Sequence, residues 1–263
     1  MDVPHYVADR IRAAVPEGAN VVPGSTPVVA FGDASTARVA TVGLNPSRIE
    51  FEVKGVWLDG DQRRLATHRS LGVETLEDAS DHTVAQVLAD CYAYFDTGRN
   101  PYWRWFRPLD RLLEASLGAT YERRIACHLD LVQWATDPVW GELRAPVRKE
   151  LIEQDREFLR QQLASESIGL VLANGGRVID ELRRSGVDME THGVVADSKG
   201  RTTQIQVGHV GEVIYVGWRV NLQSSPGVSL ELRDTISARV GDLASQGGFT
   251  LKSTSTPRLG ERD

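Results

Sequence analysis

Cysteine is scarce in this chain: 263 residues contain only Cys91 and Cys127. An iron–sulfur cluster needs about four thiolates, and a cysteine-based zinc site needs more than two isolated thiols, so neither is expected. The same scarcity fits a reducing, cytoplasmic setting. Long hydrophobic runs are missing as well. No stretch approaches ~18 uninterrupted apolar residues, so no membrane-spanning helix is expected. Residues 1–15 lack the basic segment and apolar core of a signal peptide. An excess of positive charge is also missing. The net charge is −6, which argues against a general nucleic-acid coat protein but leaves room for an enzyme with a local basic cleft.

Several chemical signatures are absent too. Asn174-Gly175-Gly176 follows an apolar run and opens a helix-like segment, but it has neither the GxGxxG spacing nor a Walker lysine. The six histidines form no close metal-ligand pair, and there is no GxSxG elbow. The sequence thus predicts no metal and no organic cofactor. No internal repeat is present.

What is there is ordinary globular composition, 41% hydrophobic and 25% charged. The length allows one large domain or two small ones. Residues 38–44 read as a buried strand stopped by Asn45-Pro46-Ser47. Residues 82–95 and 102–117 carry apolar positions at helical spacing. Residues 125–135 read as a second strand running into a loop, and 168–173 as a third. A helix is expected from Pro146 to about 163, another over 178–184, and a last one over 229–243. Residues 203–207 and 213–218 read as a further pair of strands. Strands alternating with helices predict a three-layer α/β/α sandwich with a mainly parallel sheet. A single domain over 1–244 is expected, with a Ser/Thr/Gly-rich tail over 245–263 expected to be disordered.

Parallel sheets bind ligands beyond the carboxyl ends of their strands. Three polar loops follow strands here: Asn45-Pro46-Ser47, residues 130–137 and residues 221–227. They are predicted to converge on one sheet edge. Each has a plain reading and a chemical one. Asn45 suits a turn, and its amide oxygen also suits the orientation of a water beside a cationic carbon. Asp130 sits in an apolar run, where a carboxylate is costly unless it is paired. It either caps a loop or accepts from the exocyclic amino group of a base. Residues 221–229 suit a helix N-cap or a phosphate held by backbone N–H groups. Tyr102, Trp103, Trp105 and Phe106 suit core packing or stacking on a base. The bunched arginines, Arg63 and Arg64, Arg99 to Arg111, Arg183 and Arg184, read as solvated surface.

Taken in order, these segments resemble the uracil-DNA glycosylase superfamily over roughly residues 28–243. Gly43-Leu44-Asn45-Pro46-Ser47 resembles its first motif, and Asn100-Pro101-Tyr102-Trp103 its Asn-Arg-Phe-Trp helix start. Leu129-Asp130-Leu131-Val132 falls where the family has the strand bearing its base-reading Asn. The segment from Ser224 to Ser229 falls where it has its last, minor-groove loop. The resemblance implies a base-flipping enzyme that hydrolyses the N-glycosidic bond without metal or cofactor, with DNA, duplex or locally opened, as partner. A cytoplasmic monomer that contacts no membrane is expected.

Carried over, Asn45 positions the water, and Gly43, Leu44, Phe51 and Asp130 form the base pocket, with Phe51 stacking. Ser224, Ser225, Pro226, Gly227 and Val228 hold the DNA, with Val228 or Leu222 as wedge. Two departures follow. Gln223 or Ser224 stands where the family has His, and Asp130 replaces Asn. An ionised Asp repels the uracil O4 acceptor and accepts from cytosine N4. The expected target is therefore a modified cytosine. The family includes prokaryotic antiviral members that excise glucosylated hydroxymethylcytosine from phage DNA. The alternatives are a repair glycosylase for uracil or another deaminated base, and a non-cutting DNA-binding module whose pocket Trp57 or Trp134 fills.

Overall fold

The structure, a computed structural model, describes residues 2–165, 167–224 and 228–251. Its strands are β1 (Val39–Gly43), β2 (Glu52–Val53), β3 (Val56–Trp57), β4 (Ala126–Asp130), β5 (Leu170–Asn174), β6 (Met189–Ala196), β7 (Thr202–Val210) and β8 (Val213–Trp218). The α-helices are α1 (His5–Arg12), α2 (His68–Leu71), α3 (Asp81–Tyr92), α4 (Trp103–Leu117), α5 (Ala145–Ser165), α6 (Gly176–Arg184) and α7 (Leu230–Gln246).

β1 is buried along its whole length, as are β4 and β5. A strand covered on both faces reads as a continuous apolar run and belongs inside a parallel sheet. The six-stranded sheet runs β4-β1-β5-β8-β7-β6. Its first four strands are parallel, with Gly43 opposite Asp130 and Val42 opposite Ala173. β7 and β6 extend it antiparallel. The fold is therefore mixed α/β, with a mainly parallel central sheet flanked by helices. α4 packs against α7, α1 against α3 and α5, and α6 against β5 and β8. Among the described residues, no helix is long and apolar enough to cross a membrane.

The chain leaves β1 outward to β4, then crosses back over β1 to β5. The connections flanking β1 depart in opposite directions, which opens a crevice at the carboxyl ends of these strands.

Three expectations are corrected. The second strand stops at Asp130 rather than running to 135. There the backbone peels away to close the turn after β1, with Leu131 N donating to Gly43 O and Val132 N to Leu44 O. β6 has no counterpart among the expected strands, because most of its side chains are exposed and print no apolar period. The tail does not loosen at 245: α7 continues to Gln246, and Phe249 and Leu251 pack on the core. Residues 252–263 lie outside the described residues.

Candidate active site

The crevice holds a cleft of about 680 Å³, mid-range for a small-molecule site. Residues following all four parallel strands line it: Asn45 after β1, Asp130 at the end of β4, Asn174 and Gly175 at β5, and Asn221 after β8. The predicted convergence of the three polar loops is what the structure holds. Leu44, Ser47 and Ser224 line the cleft as well.

Asn45 is half-buried and its amide nitrogen is fully engaged. Its two hydrogens are shared among three acceptors, Pro46 O at 3.1 Å, Trp134 O at 3.2 Å and Thr136 Oγ1 at 3.2 Å. An amide has two hydrogens and one acceptor oxygen. With the hydrogens committed to the protein, the group offers its environment an acceptor.

Asp130 is 5% exposed and lines the cleft. Its Oδ1 lies 3.4 Å from His128 Nε2. His128 Nδ1 lies 2.7 Å from Thr41 Oγ1, which lies 2.6 Å from Tyr121 OH. Gly43 makes this arrangement possible without touching a ligand. A Cβ there would stand 2.5 Å from Asp130 Oδ1 and 2.9 Å from His128 Nε2, a separation that packed atoms do not tolerate. Gly43 does not line the cleft; it leaves the space in which the carboxylate and the imidazole meet.

The opposite wall is tied by Asn174. Its Nδ2 donates to Asn221 Oδ1 at 3.2 Å and Gln223 Oε1 at 2.9 Å. Its Oδ1 accepts from Trp218 Nε1 at 3.0 Å and Leu222 N at 2.9 Å. Gln223, one of the two residues standing where a His was looked for, also donates from Nε2 to Trp105 O at 3.1 Å. Both ends of its amide are thus held by the protein. Ser224 is exposed at the cleft rim. Ser225, Pro226 and Gly227 lie outside the described residues. Neither expected wedge is available: Leu222 is buried, and Val228 is half-buried against the core. The α7 N-terminus is an ordinary cap, since Ser229 Oγ accepts from Leu232 N and donates to Asp197 Oδ2 at 2.5 Å. Asp197 thus takes the Ser229 hydroxyl, one of the groups read as able to hold a phosphate.

Phe51 is also corrected. It is 1% exposed, packs edge-on against Trp57 and does not line the cleft. The short turn Arg48–Glu50 directs it into the core. The aromatic wall is instead Tyr102 and Trp105, half-buried at the start of α4. Phe106, in the same cluster, is core. The Arg64 guanidinium lies 5.3 Å from the Tyr102 ring centre. Behind this wall Glu50 is fully buried, and Tyr94 OH donates to its Oε2 at 2.5 Å. Burial pushes the Glu50 carboxyl up to about 7, with the Tyr94 hydrogen bond and Arg64 opposing and Asp130 adding to the rise. Tyr94 OH in turn accepts from Tyr102 N at 2.9 Å.

Three arginines, Arg48, Arg177 and Arg219, line the cleft. Arg48 is paired with Asp137 at 2.9 Å and Arg219 with Asp180 at 3.2 Å, while exposed Arg177 has no ion-pair partner among the described residues. The arginine bunches noted in the sequence do structural work elsewhere: Arg64 donates to Asn100 O and Ile49 O, and Arg99 to Arg64 O and Asp90. Among the described residues, no group of three or more His, Cys, Asp or Glu side chains is placed to hold a metal ion. Trp57 and Trp134 do not line the cleft. The chain matches no protein-family model and no curated protein.

Thr41 and Tyr121 had no role in the sequence reading, and His128 entered only as part of the segment that carries Asp130. For Thr41 and His128 the one available signal was a polar residue within the apolar runs of β1 and β4; Tyr121 gave none. Only the pairing of these strands, which sets Thr41 opposite His128, turns that signal into a chain.

Proposed function

We propose that this chain is a DNA glycosylase of the uracil-DNA glycosylase type, which draws an amino-bearing, modified cytosine into the cleft and hydrolyses its N-glycosidic bond. The observation that carries the reading is that Asn45, left as an acceptor, and the Asp130 carboxylate line the same cleft. Asn45 Oδ1 accepts from a water and aims its oxygen at the sugar C1′. The water oxygen bonds to C1′ as the C1′–N bond breaks, its electron pair leaves with the base, and the surplus proton passes to the base or solvent. A weak, oriented nucleophile suits a cationic sugar, where placement rather than basicity lowers the barrier.

Asp130 accepts from the exocyclic amine of the base. Tyr102 and Trp105 supply the stacking surface, at about 1–3 kcal/mol per base. Val139, 49% exposed on the cleft rim, is the apolar side chain placed to fill the gap left in the stack. Arg48, Arg177 and Arg219 meet phosphates. The cleft volume of about 680 Å³ accommodates a base with a sugar-sized appendage. Removal of ordinary cytosine would damage the cell's own genome, so the reading extends to a cytosine modification foreign to that genome, such as glucosylated hydroxymethylcytosine of phage DNA, and to a role in antiviral defence.

The test uses matched oligonucleotides, single-stranded and duplex, carrying cytosine, uracil, hydroxymethylcytosine or glucosylated hydroxymethylcytosine at one position. Abasic sites are scored by alkaline cleavage. Release of the glucosylated base, with plain cytosine untouched, is expected. Preferential release of uracil overturns the target, and no release from any oligonucleotide overturns the enzyme.

A further inference from the structure

We infer that Tyr121, Thr41 and His128 form a one-way hydrogen-bond chain that fixes Asp130 as a pure acceptor, and so restricts the cleft to bases presenting an amine. The inference rests on the cleft being a base pocket. It names three positioning residues that touch no ligand.

The direction follows from counting hydrogens. Tyr121 is 1% exposed and lies at the far end of the chain. Burial holds its hydroxyl well above the usual phenol range, so it keeps its proton. Thr41 Oγ1, at 2.6 Å, is the acceptor within reach. A buried donor left without an acceptor is costly, so Tyr121 donates to Thr41. Thr41 has one hydrogen of its own. His128 Nδ1 at 2.7 Å is a far better acceptor than Cys127 O at 3.4 Å. Nδ1 therefore accepts, and the ring hydrogen of the neutral imidazole lies on Nε2.

Nε2 faces Asp130 Oδ1 at 3.4 Å. A donor there is matched by an ionised carboxylate and opposed by a carboxylic acid turned to donate. Oδ1 meets the imidazole in an electrostatic contact rather than a full hydrogen bond, and Oδ2 is the oxygen left to read the ligand. Phe31 and Phe106 pack around the His128 ring at 5.8 and 5.3 Å between ring centres, in a site where the imidazole is only 2% exposed. A reversed chain would oppose the lone pairs of Nε2 and the carboxylate. A base with a carbonyl at the reading position would oppose Oδ2 in the same way.

Three variants and two measurements test this. Tyr121→Phe removes one oxygen and keeps the ring that stacks on Phe95 at 4.5 Å. Thr41→Val removes the central hydroxyl and keeps a β-branched strand residue, and Thr41→Ser keeps the hydroxyl. Long-range proton–nitrogen NMR on labelled protein reads the His128 tautomer directly, whatever the activity. Hydrogen on Nε2 is expected in the wild type and in Thr41→Ser, and a mixture of tautomers in Tyr121→Phe and Thr41→Val. Hydrogen on Nδ1 in the wild type overturns the chain. The second measurement is the ratio of single-turnover release rates for glucosylated hydroxymethylcytosine and uracil in otherwise identical oligonucleotides. Tyr121→Phe and Thr41→Val are expected to lower it about tenfold, the scale of one hydrogen bond, and Thr41→Ser to hold it. An unchanged ratio in both disrupting variants also overturns the chain. A wild type that releases neither base overturns the glycosylase reading instead, and the tautomer still decides the chain.

Discussion

Two asparagines end neighbouring strands on opposite walls of the cleft and are put to opposite uses. Asn174, at the end of β5, has all of its hydrogen-bonding capacity met within the protein: two side-chain oxygens take its hydrogens, and an indole and a backbone N–H approach its oxygen. Asn45, after β1, has only its nitrogen tied down. The first is a fastener for the loop beyond β8. The second is an acceptor held in a set orientation. The residue type is the same and both stand at the carboxyl end of a buried strand, so what separates structure from chemistry here is the count of satisfied atoms.

That contrast is broken most sharply by paired alanine variants. Asn174→Ala strands the Trp218 N–H and the Leu222 N–H in buried surroundings, and is expected to cost about 3 kcal/mol of unfolding free energy. Chemical denaturation reads this, and a midpoint equal to wild type would mean that the network carries no stability. Asn45→Ala is expected to retain the fold by circular dichroism and to slow base release about 100-fold or more. Turnover at the wild-type rate would remove Asn45 from the chemistry.

Asp130→Asn carries the contrast to the facing strand. Release of the cytosine-type base should fall about 10- to 100-fold while uracil release rises, because a mixed donor–acceptor group replaces an acceptor. Equal effects on both bases would make Asp130 structural.

Glu50 gives a smaller effect with a definite sign. Its carboxyl is raised in the fold from an ordinary 4.5 to about 7, so the folded protein binds a proton that the unfolded chain has released. The contribution of Glu50 to stability is then fully present below about pH 4.5 and is lost as pH rises through about 7. Glu50→Gln should flatten that decline by on the order of 2 kcal/mol, measured as denaturation midpoints across this window. An identical pH profile in the variant would place the titration elsewhere.

Arg177 gives the smallest effect. Three rim arginines predict a log–log slope of DNA affinity against salt of about −2 to −3, and Arg177→Ala should reduce its magnitude by slightly under one. A wild-type slope near zero would exclude phosphate contacts.

How much of this was legible depends on burial. β1, β4 and β5 are covered on both faces and show as apolar runs, so their positions and the loops beyond them could be read directly. β6 is mostly exposed and left no pattern. Asn45 and Asp130 stood out because polar groups beside apolar runs need a reason to be there. Phe51 was misplaced because nothing in a sequence separates an aromatic lining a cavity from one packed just behind it. Tyr102 and Phe106 lie four positions apart in one cluster, yet one faces the cleft and the other the core. The chain through His128 needed the register of β1 on β4, which is a tertiary fact.

The hydrogen bonds that orient Asn45 come from Trp134 and Thr136, 89 and 91 residues further along the chain. β1 itself lies between two strands that are both made after it. During synthesis it emerges with no partner on either edge and stays unpaired until β4 and β5 follow. Closing such distant contacts comes late, since chain entropy is lost before the contacts compensate. No fragment that stops short of Gln223 can enclose the cleft, because the loop fastened by Asn174 would be missing. The cleft is therefore complete only once the chain through Gln223 is in place, and, on the proposed reading, recovered base release in a refolding experiment would time the last closure of the sheet rather than the first collapse of the chain.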